Sequence, residues 1–481
     1  MKHKLTDEQI EIISYDDDMK VEAVAGSGKT STLIEFAKTR PRNSKILYIV
    51  FNRSAKDDAL AKFQREGMNG VHIQTAHGLA YCSVMVLPKY TLNNKGYNSM
   101  DIMVMCNIKG SDRFTLATHV RNWMSGYCNS SAESIGDYDY IGSLGKEAQE
   151  FMANHMVLVK GWVNDYWDRM DSAKVLVTHE FYLKKYHLNK PQLKYDYILF
   201  DEGQDASPVM LDIFLNQTTK KIIVGDTHQQ IYSWRGAVNS LSLVDFPTFT
   251  LSKSFRFGAH IADLSNKILQ IKGSVGKVTG AANYKNNNCY TDATISRTNV
   301  ALLQSMISWV KRNPDDQLYF EGNINSLLYT EEGISVYDVI HLHECNFKRI
   351  KNKLIRSFNS FSEFMKFCNQ ADDRELLMMG VLADRYGANL GNIMEDLKEA
   401  CADDRDEATM VFTTAHKSKG LEYDKVYLTN DFANKDEEDI NLEEEVNILY
   451  VAVTRAKKEV VFPENFNFYA NFDQRIYNVV Q

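Results

Sequence analysis

Three stretches of the chain put phosphate-handling residue types at the ends of apolar runs. In the first, Ala25-Gly-Ser-Gly-Lys-Thr30 follows Met19–Val24 (MKVEAV) and precedes an amphipathic run, Ser31–Thr39, stopped by Pro41. Gly26 and Gly28 let backbone N–H groups turn inward around phosphate oxygens. Lys29 then reaches the β- and γ-phosphates and the Thr30 hydroxyl ligates Mg²⁺, with Ala25, Ser27 and Ser31 completing the ATP cradle. Ala23 stands where the strict GxxxxGK[ST] pattern has its first glycine. In the second stretch, Tyr195–Phe200 (YDYILF) runs into Asp201-Glu-Gly-Gln-Asp205. Asp201 is placed to hold Mg²⁺ through water, and Glu202 to orient and deprotonate an attacking water. A bare Asp-Glu pair is common on surfaces. At the end of an apolar strand downstream of a phosphate loop it is far more specific.

The third stretch is Lys221–Ala237 (KIIVGDTHQQIYSWRGA). Phosphate sensing needs an amide near the γ-phosphate, and base gripping needs aromatic faces and a cation. Paired glutamines followed by Tyr232, Trp234 and Arg235 offer both within one turn. As an isolated residue Trp234 reads equally well as core packing; beside Tyr232 and Arg235 it reads as a grip.

These residues need elements that end in polar turns. Lys45–Phe51 (KILYIVF), Tyr195–Phe200, Lys221–Val224 and Lys425–Leu428 are short apolar runs of that kind, fitting strands buried on both faces of a parallel sheet. Between them lie two mainly helical stretches, with apolar residues at helical spacing over Val157–Met170 and Ser360–Cys368. The expected fold is α/β, with two parallel-sheet cores in tandem, each interrupted by a mainly helical insertion. The first core takes residues 1–79 and 175–250, its insertion 80–174, the second core 251–299 and 406–481, and its insertion 300–405.

Composition narrows the class. A hydrophobic share of 44% and a charged share of 25% over 481 residues are those of a multidomain globular protein. A net charge of −8 weighs against a coating protein that binds nucleic acid over its whole surface. It does not weigh against a motor, which needs positive potential along one groove only. Seven dispersed cysteines without a CxxC pair read as reduced thiols, and His341-Leu-His343-Glu-Cys345 lacks a second ligand cluster at zinc spacing. No apolar segment reads as a membrane span or a secretory leader, so an intracellular place is expected: the cytoplasm of a bacterium or of a virus-infected cell, or another intracellular compartment.

The ordered segments resemble superfamily 1 helicases of the UvrD/Rep/PcrA type, and within them the helicase core of the F-box DNA helicases. The likeness implies two RecA-like cores and gives the residues roles. Leu5–Ile10 (LTDEQI) is similar to the Q motif, in which Gln9 reads the adenine edge. Val50–Ala55 and Thr75-Ala-His77 are similar to motifs Ia and Ib, which puts Phe51, Thr75 and His77 against DNA. Asp201–Asp205 is similar to motif II and Gly225–Ala237 to motif III, making Gln229 the γ-phosphate sensor and Tyr232, Trp234 and Arg235 the base-stacking group. Ser254–Phe257 resembles motif IV, with Arg256 at the γ-phosphate and Phe255 on the adenine face, and Ser296–Asn299 resembles motif IVa. Thr414–Glu422 resembles motif V: Thr414 and His416 face DNA and Glu422 reaches the nucleotide sugar. Tyr450–Ala456 resembles motif VI, with Arg455 as second arginine finger.

The same resemblance implies a DNA-dependent ATPase that uses ATP and Mg²⁺ and moves 3′–5′ along single-stranded DNA. It would unwind duplex in repair, recombination or replication, at single-strand/duplex junctions, with a single-strand-binding protein or recombinase as partner, and act as a monomer. The alternatives are a translocase that strips proteins from DNA with little unwinding, and a nucleotide-gated regulator. The second makes no use of Lys29, Glu202, Arg256 and Arg455 together. Ser31 stands where UvrD-type relatives carry an adenine-sandwiching arginine. No F-box segment is recognisable upstream and no nuclease extension downstream.

Overall fold

A computed structural model describes residues 4–85, 89–232, 239–274, 277–284, 291–330, 332–432, 441–464 and 466. Continuous apolar runs need cover on both faces, and the chain supplies it with two parallel sheets flanked by helices. The first sheet contains β1 (Met19–Ala23), β2 (Ile46–Val50), β3 (His72–Thr75), β4 (Tyr197–Phe200), β5 (Lys220–Gly225) and β6 (Thr248–Leu251). Their spatial order is β3-β2-β4-β5-β1-β6 and every pairing is parallel. β2 and β4 are buried at every position, as their unbroken apolar runs require. With β5 between β4 and β1, the turns leaving the C-terminal ends of these three strands open side by side.

A short parallel pair, β7 (Lys253–Ser254) and β8 (Thr279–Gly280), leads into the second sheet. That sheet contains β9 (Asp292–Ser296), β10 (Leu318–Phe320), β11 (Met410–Thr414), β12 (Tyr423–Leu428) and β13 (Ala456–Val461), in the order β10-β11-β9-β12-β13, again all parallel. The fold is thus two RecA-like cores in tandem. One detail departs from the sequence reading: β10, and the helix Asn299–Arg312 that packs on β9 and β11, fall inside 300–405. A three-residue strand carries no periodic signal, so nothing in the sequence marks it as part of the sheet.

Each helical stretch packs an apolar core that continues into the sheet-bearing core beside it. The first packs Trp123, Tyr127, Val163 and Tyr166 around the helices Arg113–Asn129 and Met156–Asp171. The second packs Phe364, Met379 and Leu382 around Phe361–Ala371 and Arg374–Tyr386. The two also touch one another. His119 Nε2 donates to the Gln370 carbonyl at 2.8 Å, leaving Nδ1 to accept from the Tyr140 hydroxyl at 2.8 Å. Arg121 pairs with Glu332, and Asp372 accepts from the Gly145 N–H at 3.4 Å.

Candidate nucleotide site and nucleic-acid face

The loop after β1 turns on Gly26 and Gly28, at φ of 72° and 81°, backbone conformations that favour glycine. Gly28 N-caps the helix Lys29–Thr39 without any side-chain cap, so the helix presents uncapped N–H groups to the loop. Ser27 Oγ is buried there without a protein partner. An uncapped helix start with an orphaned hydroxyl suits a phosphate. Lys29 Nζ lies 3.2 Å from Glu202 Oε2. Burial pulls the Lys29 ammonium down, but the carboxylates of Glu202, Asp226 and Asp201 outweigh it and hold its pKa above the ordinary value. Burial likewise raises Glu202, yet Lys29 and Lys419 prevail and press it down to about 2. Asp201 is raised, by burial and by the Glu202 charge. Its Oδ2 accepts from Thr30 Oγ1 at 3.2 Å and from the Tyr48 hydroxyl at 2.5 Å. One hydroxyl and one carboxylate facing a phosphate cradle is the donor set that fits Mg²⁺, which keeps water and phosphate for its other positions.

The second core reaches into the same crevice. Phe255 N–H donates to the Gly26 carbonyl at 2.9 Å, and the Tyr450 hydroxyl accepts from Ala25 N–H at 3.3 Å. The same hydroxyl donates to Asp226 Oδ2 at 3.3 Å. Gln229 Nε2 donates to the same Oδ2 at 2.7 Å, while Gln229 Oε1 accepts from Arg455 Nη2 at 3.4 Å. Arg455 is 1% exposed, and burial with the nearby Arg256 charge lowers its pKa to about 9. Arg256 turns from the loop: Nε donates to Glu422 Oε1 at 2.7 Å and Nη1 to the Thr454 carbonyl at 2.9 Å. Lys29 and Arg455 therefore share one crevice, linked through Asp226 and Gln229.

Matches to known families agree with this geometry. The UvrD/REP helicase N-terminal domain matches residues 5–246, and the UvrD-like helicase C-terminal domain matches residues 249–464. The chain belongs to the UvrD-like helicase family. Among curated relatives it is similar to F-box DNA helicase protein 1 of Schizosaccharomyces pombe, at 31% identity over 92% of this chain and 55% of that one. F-box DNA helicase 1 of Gallus gallus is 30% identical over 95% of this chain and 48% of its own. DNA helicase II of Salmonella typhimurium is 26% identical over 57% of this chain and 41% of its own. The chain spans about half the length of the first two relatives.

Within this UvrD-like frame the remaining motif residues can be placed. Gln9 Nε2 donates to Thr32 Oγ1 at 3.0 Å and its Oε1 accepts from Thr6 N–H at 3.0 Å, which seats it beside the phosphate-loop helix. Ser31 is exposed and Phe255 is 40% exposed. Glu422 faces Arg256 and, at 3.7 Å, Lys457. On the other side, Phe51 and Tyr232 stack with planes 9° apart and centroids 6.3 Å apart. His416 Nε2 donates to the Ile231 carbonyl at 3.1 Å and accepts, through its own carbonyl, the Tyr232 hydroxyl at 3.3 Å. Thr75 Oγ1 caps its helix through Gly78 N–H at 3.0 Å, and Thr414 Oγ1 accepts from Lys417 N–H at 3.3 Å. His77 packs edge-on to Tyr182, and its burial lowers its pKa. An open groove of about 600 Å³ runs past Arg53, Thr75, His77, Tyr81 and Tyr182. Trp234 and Arg235 lie outside the described residues.

Several participants escaped the sequence reading. Tyr48, in the middle of β2, and Tyr450, inside a helix, read as core because their neighbours are apolar. Asp226, Gln204, Asp205 and Lys419 stand inside recognised segments with nothing local to give them a role. Gln204 Nε2 donates to Glu202 Oε2 at 2.7 Å and its Oε1 accepts from Asp226 N–H at 2.9 Å, tying two strand ends together. Gln204, Asp205 and Asp226 share one signal, polarity just past the C-terminal ends of buried strands, which Tyr48 and Tyr450 lack.

Proposed function

We propose that the protein is an ATP-dependent DNA helicase that translocates 3′–5′ on single-stranded DNA and unwinds duplex, in DNA repair, recombination or replication. The observation that carries this reading is the split crevice, in which Arg455 of one core meets Gln229 of the other. With ATP in the loop, Lys29 exchanges Glu202 for phosphate oxygens and frees that carboxylate to orient the attacking water. The water oxygen bonds to the γ-phosphorus, the bond to the β,γ-bridging oxygen breaks, and Glu202 takes the water's proton. Thr30 and Asp201 would hold Mg²⁺, which would supply charge neutralisation at the phosphates. Arg455, and Arg256 once released from Glu422, neutralise the transferring group from the far side. A finger of this kind is worth ~10³–10⁵ in rate, so turnover follows closure of the two cores.

Strand polarity follows the family resemblance alone, and DNA as the track follows it together with the similarity to DNA helicases. The test is ATPase activity with and without single-stranded DNA, for wild type and Glu202→Gln. DNA should stimulate the wild type strongly, and the variant should bind ATP but hydrolyse it roughly 10³-fold more slowly. Full-rate hydrolysis without DNA would defeat the proposal. Strand displacement from duplexes with a 3′ or a 5′ overhang decides polarity: unwinding only with the 3′ overhang is expected.

A further inference from the structure

Lys419 sits in the loop after β11, on the second core, with its side chain 12% exposed. All of its N–H directions are taken by the first core. Nζ donates to Asp205 Oδ1 at 2.7 Å and Oδ2 at 2.6 Å, and to the Gln229 carbonyl at 2.8 Å. The same ammonium lies 5.0 Å from the centre of the Tyr232 ring. Each of these partners leads somewhere different. Asp205 is three residues past Glu202 and is joined to it through Gln204, whose Nε2 reaches both carboxylates, at 2.7 Å and 3.4 Å. Gln229 faces Arg455 and Asp226. Tyr232 stacks on Phe51 and bonds to His416. One cation thus touches the hydrolysis side, the sensing glutamine's backbone and the aromatic face, and it does so across the boundary between the cores.

We propose that Lys419 is a positioning residue that couples closure of the ATP crevice to the aromatic grip on nucleobases. The inference rests on the DNA-stimulated ATPase reading above. Separating the cores must break charge-assisted hydrogen bonds to a buried carboxylate, which are stronger than neutral ones. Lys419 moves with the second core, so any change in crevice width shifts the cation against the Tyr232 ring. A salt bridge serving stability alone would not connect these two readouts.

The experiment compares wild type, Lys419→Met, Lys419→Arg, Asp205→Asn and the Lys419→Met/Asp205→Asn pair, measuring ATPase over a range of poly(dT) concentrations. Lys419→Met should lower the stimulation by poly(dT) roughly tenfold, the scale of a typical coupling between sites, and raise the poly(dT) concentration for half effect. The loss of stimulation should exceed any change in the rate of hydrolysis without DNA. The double variant should be no worse than Lys419→Met, because both changes cut the same link. Lys419→Arg, which keeps the charge and can still bridge, should recover at least part of the stimulation. Stimulation unchanged in Lys419→Met, or hydrolysis with and without DNA falling by the same factor in it, overturns the proposal. If Lys419→Met does not fold, Asp205→Asn decides by the same two criteria. Absence of stimulation in the wild type would instead remove the functional reading on which this one rests.

Discussion

Tyr450 shows how one hydroxyl can serve two cores. Burial and the Asp226 charge push its pKa well above the ordinary phenol, so it stays protonated and donates to Asp226 while accepting from Ala25 N–H. Phenylalanine would keep the packing and strip partners from a buried N–H and a buried carboxylate. A lost hydrogen bond of this kind is worth about 1 kcal/mol, or roughly fivefold in an equilibrium. Tyr450→Phe should therefore raise KM for ATP about fivefold with little change in melting temperature. A KM equal to that of the wild type would show that the hydroxyl does not help to close the crevice. Arg455 belongs to the same group of contacts, and Arg455→Ala should lower kcat by ~10³ or more at saturating ATP and DNA. Single-turnover hydrolysis would report it, and a loss under tenfold would rule out a finger role.

Loop and strand ends decide how closely the cores approach. A Cβ on Gly26 would lie 2.6 Å from Arg256 Cβ and 2.8 Å from Ser254 Oγ, and the residue's φ is 72°. Gly26→Ala thus meets a clash with the other core as well as a backbone strain of about 1–3 kcal/mol. The expected outcome is loss of most ATPase activity in a chain whose far-ultraviolet spectrum and melting are close to wild type. Normal activity would mean that the loop and the segment after β7 separate before ATP enters. The elements themselves were readable to different degrees. Lys45–Phe51, Tyr195–Phe200 and Lys221–Val224 show as strands because burial on both faces leaves an unbroken apolar run, whereas Met19–Val24 shows by alternation, with Glu22 exposed between buried Val21 and Ala23. β10 does not show, since Leu318–Phe320 is too short to carry a period and its burial comes from sheet neighbours distant in sequence. Motif residues showed through their order along the chain; their partners Tyr48, Gln204, Asp205 and Lys419 did not, because nothing near them in sequence says what they face.

The whole molecule adds a contact between the two helical insertions. His119 lies between them, and burial lowers its pKa from 6.5 to about 4, against the opposing pull of the Gln370 carbonyl and Asp372, with His155 pushing the same way as burial. The unfolded chain therefore takes up a proton before the folded one does. The corresponding stability is fully present above pH 6.5 and is lost as pH falls toward about 4. Its ceiling is on the order of 3 kcal/mol. His119→Gln should flatten the fall of melting temperature with acidification over that window while His228, also lowered to about 4 by burial, keeps part of it. Parallel melting curves for variant and wild type would show that the contact carries no proton linkage.

Residue order along the chain was enough to mark the phosphate loop, the carboxylate pair and the two-core plan, because each is written in local spacing: glycines that must turn, charges that must end a buried strand. The helicase family entered through the resemblance of the ordered motifs. Only the folded chain set the distances between those segments. That Arg455 meets Gln229 and that Lys419 reaches Asp205 depends on how two sheets face one another, while Arg256 rests on Glu422 through packing within the second core. Side chains separated by about two hundred residues become neighbours through packing, which leaves no trace in the pattern of either segment.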